Sequence, residues 1–382
     1  MNNKISVGIV GGGIAGLVFA NFLKNDKKFN ITIFEKNKYS NTSSSGIQLS
    51  NNATRILNKI KFNELDKNLF SKIEQVRIYD YQNKNIISKL NLINFVTNFE
   101  NYLCLDRNIL INFLISQIND NAKLFYRKAV QVKNNHIIFS DGNAEKFDLI
   151  IVADGMFSQI RNEICKSEPL QKKKVIAYKG LLHNNQMGNF SNVELFLGDN
   201  KHFVFYPINK KGDFSFTAIF NTQSVYPDLD YDHPTNVADL LQVAGNAHED
   251  IRQIISLAKN LYQWPIYTHS KIEFGKKNIF IIGDSSHAMV PFHAQGAAQS
   301  IEDAYCLAKL FQNNIFSAEY FGTKRLSRVS MIISKSNQNL FAYHLSNPFM
   351  KIIRNIFIKI ICRYSYISNL FFGKIFNYEF KN

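Results

Sequence analysis

Near the amino terminus, between the apolar runs Ile5 to Val10 and Ile31 to Phe34, the chain carries Gly11-x-Gly13-x-x-Gly16. An apolar strand, a glycine turn, an amphipathic helix from about Ala15 to Lys24 and a second strand follow one another, which is the opening of a βαβ unit. The three glycines allow a tight turn, close approach of a pyrophosphate and close packing of helix on strand, and the helix amino terminus offers unpaired N–H donors. Glu35 closes the second strand 19 residues after Gly16, where an acid takes up an adenosine ribose hydroxyl. An acid there favours FAD or NAD over a nucleotide with a 2′-phosphate.

Two further apolar runs of buried parallel-strand type, Phe147 to Val152 and Asn278 to Ile282, each end in a small polar cluster, so three strand ends are expected to converge. Between them lie short β-branched and aromatic runs at Val193 to Phe196, His202 to Pro207 and Phe214 to Phe220, joined by turn residues, which predict an antiparallel sheet. A helical stretch follows from about Thr235 to Lys259, and from Ile301 onward the pattern is helical. At 382 residues the chain exceeds one core of about 100–200 residues and suits two lobes with an appendage. Its four cysteines stand far apart, which excludes a disulfide framework, a zinc finger or a redox dithiol, predicts no metal site and fits a reducing cytosol.

The first of the polar clusters is Asp154-Gly155-Met156-Phe157-Ser158-Gln159-Ile160-Arg161. The second is Gly283-Asp284-Ser285-Ser286-His287-Ala288-Met289-Val290-Pro291, continued by Ala294-Gln295-Gly296-Ala297 and Glu302-Asp303-Ala304. A helix opening near Gly296 points its positive end at whatever precedes it, and Asp284, at a strand's carboxyl end, is placed to accept hydrogen bonds from polyol hydroxyls.

With these motifs in this order, the chain resembles the group A FAD-dependent aromatic hydroxylases, the superfamily of p-hydroxybenzoate hydroxylase, over about Ser6 to Leu310. Gly46-Ile47-Gln48-Leu49-Ser50-Asn51-Asn52-Ala53 and the Ala294-Gln295-Gly296 turn resemble the salicylate hydroxylase-like branch. Asn51 stands where that branch has proline, and Asp106 precedes Arg107 where the superfamily commonly has histidine. The resemblance implies an α/β fold: a Rossmann-like FAD-binding domain (residues 1–75, 101–165 and 270–320) interleaved with an antiparallel-sheet substrate domain (76–100 and 166–269), plus C-terminal helices (321–382). It implies FAD held by Gly11, Gly13, Ala15, Gly16, Glu35, Lys36, Arg107, Asp154, Asp284, Gly296 and Ala297, and NADH or NADPH as a transient reductant. The activity it implies is hydroxylation of a small phenolic or benzoate-type substrate with O2, through a flavin hydroperoxide.

For the substrate, Lys201 to Pro207 is singled out. Strand alternation turns His202, Val204 and Tyr206 to one side, and in the family this stretch lines the aromatic pocket. A group that removes the phenolic proton makes the ring a better nucleophile, and histidine is suited to that work near neutral pH. Two other readings stay open: a ubiquinone-pathway hydroxylase acting on a lipophilic ring at a membrane surface, and a flavin-binding protein without turnover.

The net charge of +15 accompanies abundant Lys, Asn, Ile and Phe throughout, as expected of an AT-rich coding sequence, and no nucleic-acid partner is predicted. One asymmetry remains: from Thr323 to Asn382 ten basic residues face the single acid Glu379. There Lys351, Arg354, Asn355, Lys359 and Arg363 recur at helical spacing opposite Ile352, Ile353, Ile356, Phe357, Ile360 and Ile361. The apolar face either packs on the FAD-binding domain or lies in an anionic membrane surface, which would place a cytoplasmic protein at the inner face of a membrane.

Overall fold

In the computed structural model, which describes residues 4–39, 45–95, 101–166, 168–183, 190–222 and 233–380, two large sheets face each other across a cleft. The first has six strands in the spatial order Gly275–Lys276, Ile279–Ile281, Leu149–Val152, Ile5–Val10, Phe29–Glu35 and Ala122–Tyr126. All pairs are parallel except the first, and Val10, Val152 and Ile281 stand side by side in the ladder. The three strand ends therefore converge as their apolar runs predicted, which brings Gly11, Asp154 and Gly283 to one edge. Helices Ile14–Leu23 and Gly296–Gln312 cover one face, where Phe19 meets Phe311 edge-on at 5.4 Å. The other face is covered by a three-stranded sheet, Ala129–Lys133, His136–Phe139 and Ala144–Lys146, whose Ile137 and Phe139 pack with Phe34, Phe147 and Val152.

The second sheet has eight strands, and its centre is the antiparallel set Gln171–Leu182, Phe214–Asn221, Lys201–Pro207 and Val193–Gly198. Alternation gives it two unlike faces. Phe203, Phe205, Phe216 and Phe220 point one way into an aromatic core closed by helices Val237–Ala244 and Glu249–Ser256. These are two helices where periodicity predicted one, because Gly245 takes a left-handed φ of 61° and ends the first. The other face carries His202, Val204, Tyr206, Ser215 and Thr217. A small antiparallel sheet, Gly46–Leu49, Tyr102–Asp106 and Phe70–Ile73, bridges the two lobes. At Gly46 the approach is closest: a Cβ there would lie 2.4 Å from that of Ser215.

The carboxyl-terminal region adds helix Ala318–Tyr343 and helix Pro348–Arg363. The second of these does not pack its Ile and Phe face on the six-stranded sheet, as one of the two expectations had it. It seats Ile358 and Cys362 against the edge of the second sheet, at Ile78, Ile87, Leu195 and Leu197, buries Ile361, and leaves Ile352, Ile353, Ile356, Phe357 and Ile360 exposed. Its rotation is set by polar contacts on the inward side, Lys351 Nζ to Asp199 at 2.6 Å and the buried Arg354 donating to the Ala342 carbonyl at 3.3 Å. Among the described residues no helix is long and apolar enough to cross a membrane.

Beneath the cleft lies a buried ion cluster. Asp303 accepts from Arg325 Nε at 2.7 Å, from the Gly283 N–H at 2.9 Å and pairs with His287 at 2.6 Å. Glu302 takes Arg325 Nη1 at 2.9 Å and Arg328 Nη2 at 2.8 Å. Burial alone would raise the Asp303 carboxyl, but the charges of His287 and Arg325 outweigh it and hold it at about 2. Because its folded pKa lies below the ordinary 3.8, its contribution to stability is complete above about pH 4 and is lost as pH falls toward 2. Asp303→Asn strands Arg325 in the core and should cost about 3–5 kcal/mol, seen as a lower urea midpoint at pH 7. The gap between variant and parent should narrow below pH 4; an equal gap at every pH would remove Asp303 from the cluster.

Candidate functional site

The glycine turn is shaped for a bound dinucleotide. Gly11 has φ of 102°, and a Cβ there would lie 2.2 Å from the Ala153 carbonyl oxygen; a Cβ on Gly16 would lie 2.1 Å from the Gly11 carbonyl oxygen. Gly13 differs, since a Cβ there meets nothing within 4 Å. It borders open space at a helix start without a side-chain cap, so the first-turn N–H groups face that space. Ala15, just inside this helix, packs against Gly283. These features fit a pyrophosphate.

Glu35 sits beside the turn, one carboxylate oxygen accepting from the Gly12 N–H at 2.8 Å and the other from the Asn37 N–H at 3.0 Å. Tyr39 closes this end by donating to the Gly12 carbonyl at 2.7 Å. Lys36 is exposed next to it and lies close enough to Asp154 to favour that group's ionised form. Burial nevertheless pushes the Asp154 carboxyl up, against the Ser158 and Ser285 hydroxyls that bond it. Ser285 also accepts from the Gly155 N–H at 2.8 Å, so the Asp-Gly and Gly-Asp turns are joined by one hydroxyl.

Asp284 keeps its side chain exposed to the cleft, and a Cβ on Gly296 would lie 3.9 Å from its Oδ1. Gly296 opens helix Gly296–Gln312 without a side-chain cap, so with Ala297 it presents N–H groups near Asp284. Arg107, at the start of helix Arg107–Ser116, lies within electrostatic reach of both Asp284 and Tyr39. The preceding Asp106 caps this helix by accepting from the Asn108 N–H at 2.7 Å, which accounts for an acid at that position. These contacts gather Gly11, Gly13, Ala15, Gly16, Glu35, Lys36, Arg107, Asp154, Asp284, Gly296 and Ala297 about the carboxyl ends of the parallel strands.

The pairings that shape the cleft's floor were invisible in the sequence. Asn52 donates to Glu302 at 2.6 Å and to Gln295 at 3.2 Å, and Gln295 donates to Ser50 at 2.8 Å. The Gly46–Ala53 segment, the Ala294-Gln295-Gly296 turn and the Glu302-Asp303 pair are thereby one hydrogen-bonded unit. Arg325 and Arg328, which complete it, carry no motif around them.

His202 and Tyr206 share a sheet face but not an environment. Tyr206 donates to the Gly46 carbonyl at 2.9 Å and is buried, which drives its phenol well above the ordinary range. His202 contacts His344 through Nδ1 to Nε2 at 2.9 Å, and His344 contacts Asn221 at 2.5 Å. The His202 ring lies 4.8 Å from that of Phe292, next to Pro291 at the end of the Gly-Asp segment. Burial, aided by His344, pushes the His202 pKa well below its usual value, so the pair is neutral at pH 7. Between the two residues Val204 and its cross-strand partner Thr217 are only half-buried although they lie mid-sheet, which marks open space over this face. A separate cavity of about 710 Å³, lined by His269, Lys271, His287, Ser334, Asn337 and Phe341, touches neither Tyr206 nor the glycine turn.

Residues 9–47 match the NAD(P)-binding Rossmann-like domain family and residues 140–317 the FAD binding domain family. The chain is 22% identical over 366 residues to a 3-amino-4-hydroxybenzoate 2-monooxygenase of Streptomyces platensis, covering 90% of each. It is 25% identical over 371 residues to a 6-methylsalicylate 1-monooxygenase of Aspergillus terreus, covering 89% of this chain and 83% of the relative. The fold is shared with Klebsiella pneumoniae HpxO solved with FAD and uric acid, at a TM-score of 0.82, 16% identity and 97% coverage of both chains.

If the cleft holds FAD, Gly13→Val should fold normally yet purify colourless, because its side chain enters the open space beside the helix start. Gly11→Ala should instead destabilise the fold itself. Glu35→Ala and Asp284→Ala should each weaken flavin binding by about 1–3 kcal/mol, measured by flavin absorbance per protein and release on dilution. A yellow Gly13→Val protein with parental flavin content would refute the site.

Proposed function

We propose that the chain is a group A FAD-dependent aromatic hydroxylase that hydroxylates a small phenolic or benzoate-type ring with O2, taking electrons from NADH or NADPH. The observation that carries this is the joining of the two lobes at Gly46, where Tyr206 and Ser215 of the substrate sheet grip the loop that enters the flavin cleft. FAD, when bound, supplies the redox chemistry with O2. The rest falls to the chain. N–H groups at Gly13, Ala15 and Gly16 would take the pyrophosphate, Glu35 the adenosine ribose and Asp284 the ribityl hydroxyls, with Lys36, Arg107 and Asp154 bordering them. The amino terminus at Gly296 and Ala297 would face the electron-rich edge of the flavin ring.

On the substrate side, Tyr206 is committed to Gly46 and positions the loop. His202 is the proton acceptor of the two, and its neutral pair with His344 keeps a ring nitrogen unprotonated at pH 7. The division of the chain into residues 1–75, 101–165 and 270–320 for FAD and 76–100 and 166–269 for substrate belongs to the same proposal.

A second reading, a hydroxylase of a lipophilic quinone-type ring working at the inner face of a membrane, is favoured by one observation, the outward Ile and Phe face of helix Pro348–Arg363.

The test supplies isotopically labelled O2 with a panel of phenols, hydroxybenzoates and lipid-soluble phenols. One labelled oxygen atom should enter the ring of an accepted substrate for each NAD(P)H oxidised. His202→Ala should retain FAD but convert part of the NAD(P)H oxidation into peroxide release. Parental coupling in that variant would remove His202 from the reaction, and absence of labelled product with every compound would sink the hydroxylase reading.

A further inference from the structure

Helix Pro348–Arg363 is amphipathic with its apolar side outward. Its inward side is polar at Lys351, Arg354 and Asn355, while Ile358 and Cys362 supply apolar contact with the sheet edge and Ile361 is buried. Outward stand Phe349, Ile352, Ile353, Ile356, Phe357 and Ile360, with Ile356 at 53% and Phe349 at 69% exposure. The apolar surface continues past the helix end through Tyr364, Tyr366 and Leu370, Tyr366 being 81% exposed. Scattered apolar residues on a surface need no explanation, but a whole helix face does.

We propose that this face is a docking surface for an anionic lipid bilayer, in which the helix lies flat. The inference rests on the proposed membrane setting and not on the oxygenation reaction. Charge selects the occupant. Lys359, Arg363 and Lys374 are exposed beside the apolar side chains, and the sequence contains no Asp or Glu between Glu319 and Glu379. Lipid phosphates would supply the missing anions, Tyr364 and Tyr366 suit the headgroup level, and the apolar row would enter the acyl boundary. A second copy is a poorer occupant: a single convex helix offers no groove, and a copy related by twofold symmetry would oppose Lys359 and Arg363 to their own kind in a chain of net charge +15. Spanning is excluded for this helix, which has 16 residues and lies against the protein.

Because the helix is seated on Ile78, Ile87, Leu195 and Leu197, docking would hold the edge of the substrate sheet, rather than the flavin sheet, next to the bilayer.

The experiment uses the full-length, FAD-loaded protein, cosedimented without substrate with vesicles of phosphatidylglycerol and phosphatidylcholine or of phosphatidylcholine alone. Each of the three exposed cations should favour the anionic vesicles by about fivefold, roughly hundredfold together, and the preference should shrink with salt. Ile356→Ser/Phe357→Ser, which alters no charge and gives up the edge-on contact of Phe357 with the half-buried Phe371, should lose binding while keeping its FAD. Lys359→Gln/Arg363→Gln should lose most of the preference for the anionic lipid. Three results overturn the proposal: intact protein left in the supernatant with both vesicles, undiminished binding by the serine variant, which would assign it to general surface charge, or a concentration-dependent dimer abolished by the same substitutions with no vesicle binding. Hydroxylation is assayed separately in vesicle-free buffer, so failure of either reading leaves the other standing.

Discussion

Two acids and two arginines, buried side by side, hold the cleft in register. Asp303 bonds the Gly283 N–H and His287, so it anchors the turn that presents Asp284, while Glu302 bonds Asn52 and so anchors the loop that presents Gly46. From helix Ala318–Tyr343, Arg325 binds both acids and Arg328 binds Glu302, and Arg328 also donates to the Ile375 carbonyl. Burying so many charges is costly, and each is tolerated only because every partner is present. The carboxyl-terminal region therefore supplies the cations that let the acids lie buried. The turn at Gly283 and the loop that carries Gly46 are anchored by them.

Departures from the superfamily's pattern find local reasons in the fold. Asn51, in the place of a proline, donates to the Phe95 carbonyl, a bond that proline could not make. Ala294, where many members have glycine, takes a left-handed φ of 52°, a conformation that costs an alanine energy and a glycine almost none. The turn keeps this shape because Gln295 is tied to Ser50 and Asn52 immediately after it. Strain at one residue is offset by hydrogen bonds at the next, and the helix start at Gly296 stays aimed at Asp284.

The two residues assigned to the substrate show how an environment changes a side chain's chemistry. A histidine on an open strand titrates near neutral pH, but His202 is enclosed by Phe292, Tyr343 and His344, where a positive charge is poorly solvated. There the neutral imidazole is favoured over the imidazolium. Tyr206 is buried in a different setting, where its hydroxyl is committed to the Gly46 carbonyl.

Sequence alone determined the local pieces: the glycine turn and its helix, Glu35 at the second strand's end, the three parallel strands, the antiparallel run through His202 and Tyr206, and the carboxyl-terminal helices. Each is dictated by side-chain period, turn chemistry or the size of glycine, all of which act within a few residues. The break at Gly245 and the small sheets around Gly46 and Ala129 were less legible, since short strands carry little periodicity. Tertiary structure decided which polar groups meet. Asn52 and Glu302 are 250 positions apart and His202 and His344 are 142 apart, and no local pattern encodes such a pairing. It also decided which side of the last helix is hidden. Periodicity marks an apolar face, but the Lys351–Asp199 pair and the seat for Arg354 set the helix's rotation, and these partners exist only once the second sheet has formed.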